Sequence, residues 1–221
     1  MAPESLEEMD RVVHEPTREF VEATNVWAFM QAHDIEDYDD LIRRTTTAIE
    51  GVDSGVEWFW DELVDWLDID FFEDYDAVRD DSEGAQFTEW YPGGRLNAAH
   101  NCVDRYARRD TDARNRAALI WEGEPGDVRQ YTYYDLHRES NQVATYLDSV
   151  GVDAGDTVAL YMPMVPEVAS IFYGCLKVGA IVVPIFSGFG VDATATRIAD
   201  SECSVVFTGD GFYRRGDPFH L

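Results

Sequence analysis

Two stretches of this chain carry residue types and spacings suited to a phosphorylated ligand. The first is "FSGFGVDATA", which begins at Phe186 and contains Gly188-x-Gly190-x-x-Ala193. It follows the apolar run "AIVVPIF" and leads toward a helical pattern. Glycines at such a turn let the backbone approach a pyrophosphate, and the following helix N-terminus favours an anion. An acid about twenty residues on, here Asp210, is where a dinucleotide ribose would be held. The second stretch is "GFYRRGD", with adjacent Arg214 and Arg215. Guanidinium groups grip phosphate through paired donors. The alternative for this pair is a surface role, balancing nearby acids.

The dinucleotide reading of the glycine turn has three weaknesses. Pro184 interrupts the preceding run, and a central strand does not forgo that ladder donor. The chain ends at Leu221, which leaves no room for the rest of a dinucleotide domain. A lone glycine fingerprint is also a weak signal. Other chemistry is sparse. His14, His33, His100, His137 and His220 are scattered, and none has metal-ligand spacing to another histidine or cysteine. His100 and Cys102, two apart on a helix, do not face each other. No Gly-x-Ser-x-Gly elbow or Walker loop occurs, so no catalytic residue and no metal site are assigned.

The elements that must position these residues alternate in kind. "ALIWEGEPGDVRQYTY" reads as two short strands, Ala117–Glu122 and Arg129–Tyr131, around a turn. Thr132 and Asp135 have capping-box spacing before a helix whose apolar face is Leu136, Val143, Ala144 and Leu147. Gly151 sits where a helix C-terminal glycine belongs. "DTVALYM" is a buried strand. Val168, Ile171, Phe172, Cys175 and Leu176 mark a helix, "AIVVPIF" a strand, Val191 to Ser201 a helix and "SVVFTGD" another strand. This alternation predicts a parallel sheet with right-handed crossovers, whose ligands approach the carboxyl ends of the strands.

Upstream, a helix is expected over Arg18–Ala32 with Thr17 as N-cap. Asp37 to about Asp76 reads as helical, with Trp58, Phe59, Leu63, Trp66 and Leu67 in one apolar stripe that packs against a larger body. A further helix is expected from Asn97 to Arg108, after the loop at Pro92-Gly93-Gly94.

Charge is the outlier in the composition. The 221 residues hold 44 acids against 17 bases, a net of -27, and Lys177 is the one lysine. Such a charge opposes compaction at low ionic strength, whereas molar salt shortens screening to about 3 Å. Adaptation to a salt-rich cytoplasm accounts for acids spread over the whole chain, and a locally acidic partner surface accounts for them less well. Nucleic acid and anionic membrane are poor partners for this surface. Cys102, Cys175 and Cys203 are odd in number and form no C-x-x-C pair, which argues for a reducing interior. No basic-then-apolar leader opens the chain, and Lys177, Gly174, Gly179 and Pro184 interrupt the longest apolar segment. A cytoplasmic protein is expected.

Taken in order, several stretches resemble the front portion of the AMP-forming acetyl-CoA and acyl-CoA synthetases of the adenylate-forming superfamily. "NVWAFMQAHDIEDYDDLI" and "EWFW" resemble that family's N-terminal extension, and "EWYPGGRLNAAHNCVDR" resembles the join to its main domain. "ALIWEGE", "GVDAGDTVALYMPMVPE", "FSGFGVDATATRIAD" and "TGDGFYRRG" follow in family order. The resemblance implies an α/β fold: a helical N-terminal extension, then the first, incomplete part of a parallel-sheet adenylate-forming domain. It implies an acidic N-terminal segment over 1–24, the extension over 25–100 and a partial AMP-binding domain over 101–221.

Such enzymes use Mg-ATP to convert a carboxylate such as acetate to an acyl-adenylate, then pass the acyl group to CoA. The resemblance puts Phe186, Gly188 and Arg214 at the CoA-nucleotide positions. Ser187 departs mildly from the family pattern, and Asp217 stands where the family carries a second basic residue. The phosphate loop, the Mg-binding acid and the catalytic lysine belong later in the family's order than anything present here. A truncated ligase, inactive alone, is therefore expected. The alternatives are a non-catalytic half that assembles with a complementary chain, and a dinucleotide-dependent oxidoreductase fragment.

Overall fold

In the computed structural model, residues 14–47 and 54–221 are described. They fall into two compact units, one running to Ile69 and resuming over Tyr75–Gly93, the other formed by Asp70–Asp74 and Gly94–Leu221.

The first unit is mainly helical: α1 (Arg18–Glu22), α2 (Asn25–Ala32), α3 (Tyr38–Thr46) and α4 (Gly55–Trp66), with a short pair β1 (Arg79–Asp80) and β2 (Glu89–Trp90). The single helix expected over Arg18–Ala32 is two helices. Thr24 makes the break: its hydroxyl donates to the Val21 carbonyl (2.7 Å) and accepts the Trp27 amide (3.1 Å). It thereby closes α1 and N-caps α2. Thr17 caps α1 as expected. The helical pattern expected to reach Asp76 stops at Trp66. Asp68 takes a left-handed φ of 52°, and the Ile69 amide returns to the Val64 carbonyl, so the last carbonyls are satisfied by a turn.

Three residues of the aromatic stripe, Trp58, Phe59 and Leu63, are partly buried against a core from the preceding helices. Phe29, Met30, Ile35 and Leu41 are buried against Trp58, Phe59 and Leu63. Phe29 meets Phe59 and Trp66 edge-on, at centroid distances of 5.7 and 5.5 Å. Trp66 and Leu67, also expected in the stripe, are exposed.

The second unit begins with a π-helical turn, His100–Asp104, continued by α5 (Arg105–Ala107). Then come the antiparallel hairpin β3 (Ala117–Glu122) and β4 (Val128–Thr132), and α6 (Tyr133–Ser149). The capping box of α6 forms as expected, with Thr132 and Asp135 exchanging bonds. Those bonds hold the Asp135 carboxyl below the usual carboxylate range. Gly151 ends the helix at a φ of 83°.

The remaining elements are β5 (Thr157–Met162), α7 (Glu167–Lys177), β6 (Ile181–Phe186), α8 (Val191–Asp200), β7 (Val205–Thr208), β8 (Gly211–Arg214) and β9 (Asp217–His220). β5 lies between β6 and β7, parallel to both, and the order β6–β5–β7 makes the expected parallel sheet. Pro184 falls on β6, an edge strand among the described residues, where a missing amide donor is tolerated. β8 and β9 form a separate antiparallel hairpin that the sequence pattern did not announce.

One core serves this unit. Leu147 of α6, Ile171 and Cys175 of α7, and Val158 and Leu160 of β5 are buried together with Val152 and Ala180. The alternation along β5 sends Val158 and Leu160 toward the two helices. No helix among the described residues is long and apolar enough to cross a membrane.

Replacing Leu147 by Ala is expected to cost about 2–5 kcal/mol, since the site is closed on all sides. Denaturant unfolding in molar salt measures it, and a loss below about 1 kcal/mol would contradict this core. Burial also pushes the Cys175 thiol up to about 11. At neutral pH it is expected to resist alkylation until the chain unfolds, while exposed Cys102 reacts at once. A brief iodoacetamide pulse read by peptide mass checks both.

Candidate functional site

The carboxyl ends of β5 and β6 open onto a cavity of about 620 Å³. Met164 and Val165, just past β5, form one side with Phe186 and Ser187 at the end of β6. The β8–β9 hairpin contributes Phe212, Arg214 and Phe219, and the β3–β4 turn contributes Glu122 and Glu124. β5 is the strand from which the sheet order runs both ways, and ligands of open parallel sheets bind at such a point.

Local chemistry fixes each wall. The Trp121 indole N–H donates to the Met164 carbonyl at 2.7 Å, which ties β3 to the segment after β5. The Gly216 amide donates to Glu124 Oε1 at 3.1 Å, which holds the hairpin turn against the β3–β4 loop. The hairpin turns through Arg215 and Gly216, both with positive φ (56° and 88°), the two-residue geometry that follows strand twist. After β6 the chain folds back through the Phe189 amide, which donates to the Phe186 carbonyl at 3.0 Å. Tyr161 of β5 holds that turn by donating its hydroxyl to the Phe189 carbonyl at 3.0 Å. The Phe186 and Phe189 rings meet edge-on at 5.6 Å, and the Arg197 guanidinium caps Phe189 at 4.1 Å.

Phe186 and Arg214 therefore line one cavity. Gly188 does not reach it but shapes it: a Cβ there would stand 2.5 Å from Cε1 of the Phe186 ring. With the ring in this position there is no room for a side chain at Gly188. Arg214 has no carboxylate within ion-pair distance among the described residues, so its charge is left for the cavity. Asp217 is its ladder partner across the hairpin. The two arginines part company, since Arg215 sits in the turn and is not among the lining residues. Asp210, considered as a ribose ligand, lines the same cavity.

Sequence reasoning missed the rest of the lining: Trp121, Glu124, Met164, Phe212 and Phe219. Only the turn expected between the strands Ala117–Glu122 and Arg129–Tyr131 marked where some of these would gather. No group of three or more acids, histidines or cysteines that could hold a metal ion occurs among the described residues.

Residues 106–219 match the family model of AMP-binding enzymes, just over half of the chain. This chain belongs to that family. Residues 47–102 match the model of the acetyl-coenzyme A synthetase N-terminus. Acetyl-coenzyme A synthetase of Methanothrix thermoacetophila is 42% identical over 164 residues, covering 74% of this chain and 24% of that protein. The same-named protein of Pyrobaculum arsenaticum is 38% identical over 225 residues, covering 98% and 32%. The solved structure of acetoacetyl-CoA synthetase from Streptomyces lividans superposes with a TM-score of 0.79 at 23% identity, over 93% of this chain and 31% of that one. The chain thus spans about a quarter to a third of the length of these relatives. The fold is that of the N-terminal part of an adenylate-forming enzyme.

Gly188→Ala is expected to leave stability within about 1 kcal/mol, because the ring it strikes is exposed and can swing aside. It should re-aim Phe186 out of the cavity wall. Aromatic carbon shifts of a phenylalanine-labelled sample, with Gly188→Ala against the parent chain, report that movement. An unmoved Phe186 ring would contradict the packing described.

Proposed function

We propose that this chain is part of an acetate-activating, AMP-forming acyl-CoA ligase and carries one wall of its CoA site. In that role Phe186 and Arg214 face the CoA nucleotide, and Gly188 keeps the Phe186 ring in place. The observation that carries this reading is the shared cavity at the strand ends, with an unpaired guanidinium beside aromatic walls. CoA bears a 3′-phosphate and a pyrophosphate, which a guanidinium holds through charge-assisted bonds, and a purine that aromatic rings can pack against. ATP with Mg, and a small carboxylate such as acetate, are the other substrates of the reaction. Asp217 stands close in the ladder to Arg214 and opposes a phosphate there. In molar salt that opposition is screened.

The acid-rich composition supports work in a salt-rich cytoplasm, and the three free cysteines support a reducing one. We assign no adenylation chemistry to these 221 residues by themselves. A second reading, assembly with a complementary chain that supplies the rest of the site, is favoured by one feature. An open apolar groove runs beside β6, lined by Met162, Val168, Phe172, Val182 and Pro184. A bare apolar face of this kind is an association surface.

Equilibrium binding in molar salt tests the first reading. CoA is expected to bind and NAD not to. Arg214→Ala should weaken CoA by about tenfold or more, the size of a lost charge-assisted hydrogen bond. Undiminished CoA binding by Arg214→Ala would remove Arg214 from the site. Incubation with Mg-ATP and acetate is expected to release no pyrophosphate, and release would overturn the view that adenylation needs further chain.

A further inference from the structure

An exposed aromatic ring keeps one orientation only through the few groups that touch it. Phe186, at the end of β6, is such a ring, with 62% of the residue exposed. Its main chain is fixed by the ladder, with Met162 of β5 as partner. That pairing does not fix the ring. The turn after β6 supplies the neighbour that does, since the Phe189 ring stands 5.6 Å away and close to perpendicular. What sets Phe189 therefore sets Phe186.

Two groups hold Phe189, and neither is among the residues that line the cavity. The Tyr161 hydroxyl donates to the Phe189 carbonyl at 3.0 Å, across 28 positions of the chain. Tyr161 is itself paired with Ile185 of β6 and Thr208 of β7, so this bond ties the turn to a strand held on both sides. Strand alternation puts its side chain on the face opposite Leu160, away from α6 and α7. Gly190, the N-cap of α8, has no side chain to bond the entry to that helix, which leaves the bond from Tyr161 to do so. The Arg197 guanidinium lies over the Phe189 ring, 4.1 Å from its centroid, where a cation is attracted. It is fixed in turn by donating to the Ala193 carbonyl at 2.9 Å.

We infer that Tyr161, Phe189 and Arg197 form a brace behind the cavity wall, and that Tyr161 is a positioning residue for the purine of CoA, acting through Phe189 and Phe186. This rests on the proposed placement of Phe186 at the CoA nucleotide. A ring held in one orientation before binding loses less freedom when a purine packs on it, so the brace adds affinity without touching the ligand. Arg214 stands outside the brace, because it reaches the cavity from the β8–β9 hairpin. The aromatic and the cationic parts of the site should therefore respond to different substitutions.

Tyr161→Phe keeps the ring and removes the hydroxyl alone. In molar salt this variant is expected to move the aromatic carbon resonances of Phe186 as well as those of Phe189. It should weaken CoA binding about three- to tenfold, the effect of one lost hydrogen bond. In a Phe186→Ala background the same substitution should change CoA binding less than about twofold, while in an Arg214→Ala background it should keep its full effect. A general loosening of the fold would instead weaken CoA equally in all three backgrounds, and that result overturns the brace. So does an unmoved Phe186 ring in Tyr161→Phe. A parent chain that fails to bind CoA would overturn the CoA reading and with it the ligand role of Tyr161, while the ring resonances still decide the brace. If Tyr161→Phe does not fold, Arg197→Met decides: it should move the Phe186 resonances, and Arg197→Lys should restore them.

Discussion

Strand β5 is hydrogen-bonded on both sides and covered on one face by α6 and α7, and the organisation of the second unit follows from its burial. A strand so placed can present no unpaired backbone group, so both neighbours must lie in register with it. Leu160 pairs across to Pro184 on one side and Phe207 on the other. That double pairing makes β5 the point where the sheet order turns. The segments leaving β5 and β6, at Met164–Val165 and at Phe186–Ser187, both line the cavity. Arg214 and Phe186 belong to different elements, some thirty residues apart. They meet because the β8–β9 hairpin is held over those strand ends by Glu124 and the main chain of Gly216.

Much of this was legible in the residues because the signals were local. Thr132, Asp135 and Gly151 mark the bounds of α6 by cap chemistry, which depends on neighbours three or four positions away. The apolar period of α7 and the short runs of β5, β6 and β7 are local too. Pro184 argued against a central strand, and β6 is an edge strand among the described residues. Where the reading failed, a competing local bond decided. Nothing in an apolar period foretells that Thr24 will cap forward rather than continue a helix. Nor does it foretell that the chain after Trp66 will turn at Asp68.

The site divided along the same line. Phe186, Gly188 and Arg214 came from motif order and family resemblance. The partners that complete the cavity are tertiary neighbours, as Trp121 and Met164 illustrate with a bond spanning 43 positions. No spacing rule relates residues that far apart. Gly188 shows a subtler gap. A glycine fingerprint suggests room for a ligand's phosphate, yet here the room is taken by the ring two residues before it.

The Trp121–Met164 bond also gives the molecule an optical asymmetry. Five of the six tryptophans lie at or before Trp90, and Trp121 is the sixth. Its indole forms part of the cavity wall, with the ring N–H engaged by a carbonyl. Indole emission is sensitive to the polarity and hydrogen bonding around that N–H. With the five upstream indoles replaced by phenylalanine, the chain would carry a single intrinsic fluorophore at the mouth of the sheet. Filling or emptying the cavity would then register as a change in its colour.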